Sequence, residues 1–488
     1  MNIKIILVLV IINFQIRGIC QESKNVHPDS RFAEGELLNT KANGFNGIWY
    51  MNQPSNDEYV YKYSGGLATY CAKHQPFAVY AEEVDKTFFC FGGTDDTNST
   101  LFHNVSYFDH KTGKVANPTI ILNKNTTDAH DNPVISLDEE GYIWVFSTSH
   151  GTSRPSYISK SRKPYNINKF EKVNATELEN GVEKPFNNFS YFQVWHVKSK
   201  GFMALFTKYQ KGHRVIGFNT SKDGIKWNEW KVLGHIDMGH YQISGENNGK
   251  ISVAFNYHPD PKGLNWRTNL YYLETTDFGE SWHTASGEEV QLPLTKPINP
   301  ALVQHFQHDS LNCYMKDLNF DEKGQPIVMV LSSKGYESGP KNNPRKWELF
   351  HFNEGKWDNH VITTSDNNYD MGSIYIEPHG IWRLIAPTGQ GPQAYNPGGE
   401  VALWLSNNNG ETWEKKKQLT LNSERNHTYV RRPVNVSSEF YGIWADGHGR
   451  QPSKSNLYFC DKDGNVFLLP ETMKKSAVKP EPYNIPDL

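Results

Sequence analysis

A turn followed by a short apolar strand recurs seven times along this chain. The instances are EEVDKTFFCFGG around Asp85, SLDEEGYIWVFSTS around Glu140, HVKSKGFMALFTK around Lys200 and SGENNGKISVAFN around Gly249. They continue as FDEKGQPIVMVLSS around Lys323, IEPHGIWRLIAP around His379 and SSEFYGIWADG around Phe440, at intervals of 49 to 74 residues. Each unit reads as strand, polar or glycine turn, strand, which is a hairpin signature. Repetition at such a period marks a modular architecture, because each unit can bury its apolar face only against the next. Seven units with no helix-period stretch between them predict an all-β fold, a seven-bladed β-propeller. A pair of β-sandwiches would not space its hairpins so regularly to the C-terminal end.

Three segments add to this pattern: SKDGIKW at 221–227, TTDFGESW at 275–282 and SNNNGETW at 406–413. They resemble the Asp-box of sialidase-like propellers, in which Ser/Thr and Asp/Asn cap a glycine turn and the Trp packs between strands. Such boxes report architecture rather than chemistry. A modular fold also resolves the length, since 488 residues exceed what one core usually supports. Lys+Arg 50 against Asp+Glu 53 gives a net charge of -3, so no diffuse basic field serves nucleic acid. Residues 1–20 read as a signal peptide, with Lys4, an apolar run over 5–12 and small residues near Gly18 and Cys20. The propeller is therefore expected over 21–488, secreted or periplasmic and monomeric, and no segment is long and apolar enough to predict a membrane span.

In a propeller the innermost strands line one channel, and ligands bind at the face where they begin. The segments entering these strands carry AKHQP with His74, DAHDNP with His130, FSYFQ with Tyr191, MGHYQ with His240, CYMKD with Tyr314, NNYDMG with Tyr369 and HTYVRRP with His427 and Tyr429. One such side chain alone is a hydrogen-bonded core group, but a ring of them makes a polar, aromatic pocket suited to carbohydrate. STSHGTSRP places His150 beyond the strand whose hairpin began at His130, so the two imidazoles can face each other. FTKYQKGHRV brings Lys208, Tyr209, His213 and Arg214 to an equivalent loop, and FNYHPDPKGLNWRTNLYY brings Tyr257, His258 and Arg267. These loops are poor in the paired carboxylates of a glycosidase. Their His, Tyr and Arg suit β-elimination from a uronic-acid polysaccharide. That reaction needs a cation on the carboxylate, here Arg214, together with a base and an acid of suitable pKa.

The segments DAHDNPVISLDEEGYIWVFSTSHG, NYHP…RTNLYY and HTYVRRPVN…FYGIWADG resemble the BNR-4 propellers, which include the ulvan lyases of polysaccharide lyase families 24 and 25. The resemblance covers roughly residues 40–470. It implies a secreted lyase that cleaves ulvan, a sulfated uronic-acid polysaccharide, between 3-sulfated rhamnose and a uronic acid and leaves an unsaturated uronyl end. It carries catalytic roles onto His130, His150, Arg214 and Tyr257, and substrate contacts onto Tyr191, His258 and Arg267. It also implies a structural zinc, for which His305, His308 and Cys313 in HFQHDSLNC offer ligands. Two other readings stand beside it: a non-catalytic carbohydrate-binding propeller and a glycoside hydrolase of related fold. Arg431 and Arg432 are open between sulfate recognition and a part in blade closure.

Overall fold

A computed structural model of the chain describes residues 35–95, 97–210 and 212–485. The export segment expected at 1–20 lies outside the described residues. The fold is an all-β propeller whose helical content, among the described residues, is confined to three short 3-10 turns. Five sheets are plain four-strand meanders running outward from the axis. Their innermost strands are Pro133–Leu137, Gln242–Asn247, Asn312–Phe320, Ser373–Glu377 and Asn426–Arg431, and the last of these sheets gains Glu481–Pro482 at its rim. By this criterion the blades number five rather than the expected seven. The two other large sheets have seven strands each and begin from Ala78–Ala81 and Ser190–Val197. Inserted strands enlarge both, including the hairpin Thr176–Glu179 and Val182–Pro185 at the rim of the second. The expectation fails on count because insertions lengthen the repeat unevenly.

The innermost strands touch in series around the axis. The apolar core is divided accordingly into clusters, most of them wedges shared by two neighbouring sheets and one spanning three sheets and the axis. One wedge joins Phe88, Val105 and Leu122 to Ile135, Ile143 and Val145; another joins Met203, Leu205 and Phe218 to Val253, Phe255 and Leu273. Burial on both faces explains why strands such as Ile143–Ser147 read as continuous apolar runs rather than alternating ones.

The three Asp-boxes sit between the third and fourth strands of their sheets. Ser221 Oγ accepts from Gly224 N at 2.9 Å while Asp223 Oδ1 accepts from Ile225 N and Lys226 N, both at 2.8 Å. Ser406 and Asn408 repeat these bonds at Gly410 N and Thr412 N. Gly224 and Gly410 adopt φ of +73° and +83°, and a Cβ there would lie 2.7 Å and 2.5 Å from the rings of Trp144 and Trp382. Both glycines are thus required twice, by backbone sign and by packing, against a tryptophan of the preceding sheet at Gly224 and of the same sheet at Gly410.

The ring closes through contributions from both ends of the described chain. Val434 N donates to Ala78 O, and Tyr80 N donates to Val434 O, both at 2.9 Å. Ala477–Val478 pairs with Lys114–Ala116. A two-stranded ribbon, Trp49–Pro54 with Tyr61–Gly66, belongs to no large sheet and packs against the last one, placing its residues over the axis.

Candidate active site

Where the inner strands begin, a cavity of about 120 Å³ opens on the axis. Each large sheet presents at least one aromatic side chain to it, and the ribbon supplies Tyr63. Several inner strands carry β-bulges at this point. Pairing shifts between Ser190 and Gln193, between Met315 and Asp317, and between Thr428 and Arg431. Tyr191 and Tyr429 there adopt φ of +52° and +54°. A bulge breaks the strict alternation of a strand, and here it accompanies tyrosines turned toward the axis.

His130 sits on the 3-10 turn Ala129–Asp131, whose N-cap is Asp128. Asp128 Oδ1 accepts from His130 N at 3.0 Å and from His130 Nδ1 at 2.6 Å. Its other oxygen accepts from His150 Nδ1 at 2.9 Å. One carboxylate therefore orients two imidazoles, which stack with centroids 3.9 Å apart at 16°. Arg154 holds this acid from behind: its Nη2 donates to Asp128 Oδ2 at 3.1 Å, and its Nε donates to Asp131 at 2.8 Å. Burial would raise the Asp128 pKa, but the two histidines and their hydrogen bonds outweigh it and hold the carboxyl well below its ordinary value.

The imidazoles differ at their outer nitrogens. His130 Nε2 lies 2.8 Å from the hydroxyls of both Tyr63 and Tyr70. Burial and the neighbouring His150 bring His130 down to about 4, so near neutrality it is an uncharged imidazole with its acceptor nitrogen occupied. His150 is more open, its side chain 24% exposed. Its Nε2 has the Tyr191 hydroxyl at 3.4 Å. Fixing Nδ1–H on a carboxylate leaves the Nε2 lone pair aimed into the cavity, which is the tautomer a general base requires.

Beside the histidines the lining is rich in basic side chains. Lys62, Lys73, Arg214, Arg267 and Lys316 border the cavity, and no aspartate or glutamate does among the described residues. Arg214 stands over the rings of Tyr209 and Tyr241 at 5.3 and 5.8 Å. Arg267 stands over Tyr241 and Tyr314, each at 4.5 Å, and donates to the Tyr369 hydroxyl at 3.3 Å. Tyr241 thus has two guanidiniums on its ring. Burial pushes its phenol upward, but Arg214 and then Arg267 pull harder, so its pKa falls below the ordinary value. The neighbouring Tyr191 goes the other way, raised well above it, chiefly by burial.

The cavity therefore brings together His130, His150, Tyr191, Arg214 and Arg267 from the sequence-derived set. Tyr257 is not among them. It shares a strand face with Phe255 and Val253, so period-two alternation sends its ring into the wedge between sheets. There its hydroxyl donates to Gln307 Oε1 at 2.5 Å. His258 is also fully buried and lies behind the cavity, with its ring against the edge of Tyr241 at 5.0 Å. His240 and His427 are core groups: His240 bonds Ile236 N and Asn256 O, and His427 accepts from Trp444 Nε1. Lys208 pairs with Glu177, and His213 with His235. Arg431 lies under the ring over Phe77 and donates to Cys71 O at 3.2 Å, which fits blade closure.

Sequence reasoning missed Asp128, Tyr63, Tyr70, Lys73, Tyr241 and Lys316. Lys73, Asp128, Tyr241 and Lys316 lay within the quoted segments, whereas Tyr63 on the ribbon and Tyr70 just after it carried no repeat signal.

The residues expected to hold zinc do not fit it. The His308 side chain is 79% exposed and bonds Asp309, whereas the Cys313 thiol is buried on an inner strand and burial raises its pKa. His305 and His308 have ring centroids 5.8 Å apart. Among the described residues the one group of three with ligand atoms within 4.8 Å is Asp128, His130 and His150. These atoms already satisfy one another by hydrogen bonds, and Arg154 supplies the positive charge that a metal would bring.

A family model described as "BNR repeat-containing family member" matches residues 95–365. An ulvan lyase of Nonlabens ulvanivorans is 23% identical over 319 residues, covering 60% of this chain and 66% of that protein. A family 25 ulvan lyase of Pseudoalteromonas sp. (strain PLSV) is 22% identical over 336 residues, covering 60% and 63%. The match thus spans slightly under two thirds of these relatives' length. A solved family 25 ulvan lyase superposes with a TM-score of 0.65 at 15% identity, over 87% of this chain and 96% of that one. The same figures hold for the structure bound to -[GlcA(1-4)Rha3S]-. At this identity the likeness concerns the propeller fold.

Proposed function

We propose that this chain, which belongs to the BNR repeat-containing family, is a polysaccharide lyase that cleaves ulvan by β-elimination. The bond broken is that between 3-sulfated rhamnose and the 4-position of a uronic acid, leaving an unsaturated uronyl end. One observation carries the reading: a cavity bordered by two arginines and three lysines and, among the described residues, by no aspartate or glutamate, with imidazoles that share a carboxylate in its wall. Most glycoside hydrolases use two carboxyl groups flanking the glycosidic bond, and among the described residues the lining offers none. The similarity to ulvan lyases agrees with this choice.

In this reading Arg214 binds the uronate carboxylate. Its positive charge stabilises the carbanionic character that develops at C5. His150 Nε2 takes the C5 proton as the C4=C5 double bond forms and the C4–O bond breaks. Tyr241, whose phenol is made more acidic by the two guanidiniums, gives its proton to the leaving oxygen. Tyr191 bridges the two ends of this relay, 3.4 Å from His150 Nε2 and edge-on to Tyr241. His130 acts through Asp128 and the stacked ring, as a positioning residue. No metal step is needed.

We further read the two seven-stranded sheets as enlarged blades, because each contains an inner meander of the common kind. That reading restores a seven-bladed ring. A polymer as large as ulvan is degraded outside the cytoplasm, which agrees with the leader-like residues 1–20. The test is incubation with ulvan, followed by ultraviolet absorbance for an unsaturated uronate and by reducing-end assay. Reducing ends without the absorbance would mark a hydrolase, and binding without either product would mark a non-catalytic module.

A further inference from the structure

We propose that Arg267 and Lys316 form a second anion subsite, separate from the carboxylate site at Arg214, which receives the sulfate ester on the sugar next to the uronate. The inference rests on the lyase reading and names what determines its specificity. A single carboxylate requires a single neutralising cation, and Arg214 interacts with Tyr191, the tyrosine whose hydroxyl reaches His150 Nε2 at 3.4 Å. Arg267 shares the Tyr241 ring with Arg214 but also stands over Tyr314 and Tyr369, rings that Arg214 does not cover. Lys316 continues the same arc, 5.8 Å over the Tyr314 ring, with its Nζ donating to Asn368 O at 2.7 Å.

Neither cation has a carboxylate in ion-pair contact among the described residues. Arg267 bonds only a carbonyl and a phenol, and Lys316 only a carbonyl. Lys316 is 2% exposed. Burying a charge without an opposite one is costly, so a fold that keeps two such groups on a cavity wall is completed by an anionic ligand. The groups facing Lys316 agree with this. Arg267 repels its charge and Asp370 attracts it, and burial dominates, bringing the ammonium down to about 7. Nearby Lys73 is lowered further, by burial and then by Lys316 and Arg267. A permanently charged sulfate ester set between Arg267 and Lys316 would restore the missing negative charge and raise the Lys316 pKa. Binding of sulfated polymer would then take up a proton at pH values just above 7.

The test compares native with chemically desulfated ulvan, using wild type, Lys316→Met and Lys316→Arg, each checked for folding by thermal melting. Loss of one charge-assisted bond predicts that Lys316→Met raises KM for native ulvan by roughly tenfold or more. The loss should fall on KM more than on kcat, and the variant's KM ratio between desulfated and native ulvan should shrink toward one. Lys316→Arg should keep the preference for native polymer. Wild-type KM for native ulvan should rise as pH increases through 7, and this rise should vanish in Lys316→Met. Equal loss on both polymers, or a wild type indifferent to sulfation, overturns the subsite and leaves the lyase reading standing. Absence of unsaturated product from either polymer with wild type overturns both.

Discussion

Asp128→Asn isolates the part of the site on which the proposed base depends. The substitution keeps shape and size but removes the charge and converts one oxygen into an NH2 donor. In the native site both oxygens accept Nδ1–H bonds, at 2.6 Å from His130 and 2.9 Å from His150. An amide can accept only one of them; at the other its NH2 faces an imidazole nitrogen as donor. With the carbonyl retained at the His130 cap, the amide nitrogen falls at His150 Nδ1 and forces the proton to Nε2, where the base must be free. General-base catalysis contributes about 10²–10⁴-fold, so kcat should fall by about 10³-fold, equivalent to roughly 4 kcal/mol of barrier. Two charge-assisted bonds weaken together with the Arg154 contact, so the melting temperature should also drop, by a cost of about 2 kcal/mol or more. The assay is initial-rate kinetics on ulvan beside thermal melting. An enzyme that stays folded and keeps kcat within about threefold of wild type would show that His150 is not the base.

Tyr241→Phe should lower kcat by about 10²-fold or more with little change in KM, as expected for loss of a proton donor. Tyr257→Phe should leave kcat within about twofold while costing about 1 kcal/mol of stability from its bond to Gln307. The opposite ranking would return Tyr257 to the mechanism. Exhaustive chelation should leave the rate on ulvan unchanged, since Arg154 fills the electrostatic role at Asp128; a metal-restorable loss would refute that. Stability should fall as pH drops from about 6.5 to 4. His130, His240 and His427 are held neutral by burial, at about 4, 3 and 3, so the unfolded chain binds more protons there and acid favours unfolding. Asp366, raised by burial to about 6, and Asp370 and Asp446, also raised by burial, work against this trend, while Asp128, held well below its ordinary value, and the buried His74, His103 and His258 add to it. A melting temperature that rises on acidification to pH 5 would contradict the balance.

The architecture was legible because strand–turn–strand units and Asp-boxes are local patterns, and a wedge-shaped core needs the same residues at each repeat. The histidine pair was legible for the same reason, since it marks two strand ends of one hairpin. What failed was resolution within a segment. MGHYQ contains both His240 and Tyr241, and adjacent residues on an extended strand face opposite ways. The structure turns the histidine to Asn256 O and the tyrosine to the arginines. Tyr257 was misjudged by the same parity. Asp128 was passed over because its value lies in holding two rings from one point, a relation between loops 22 residues apart. The ribbon tyrosines had no signal, because Tyr61–Gly66 pairs only with Trp49–Pro54 and stands outside the repeat.

Ring closure has a consequence in time. Tyr63 and Tyr70, which reach His130, come from the early part of the chain, whereas Tyr429 arrives with the last sheet. The ribbon that carries Tyr63 leans on that sheet, through Thr428 and Gly66 among others. A ribosome must therefore deliver nearly the whole polypeptide before the cavity has all its walls. Until the seam is sealed, the growing chain carries His130 and His150 without the enclosure that the proposed chemistry requires.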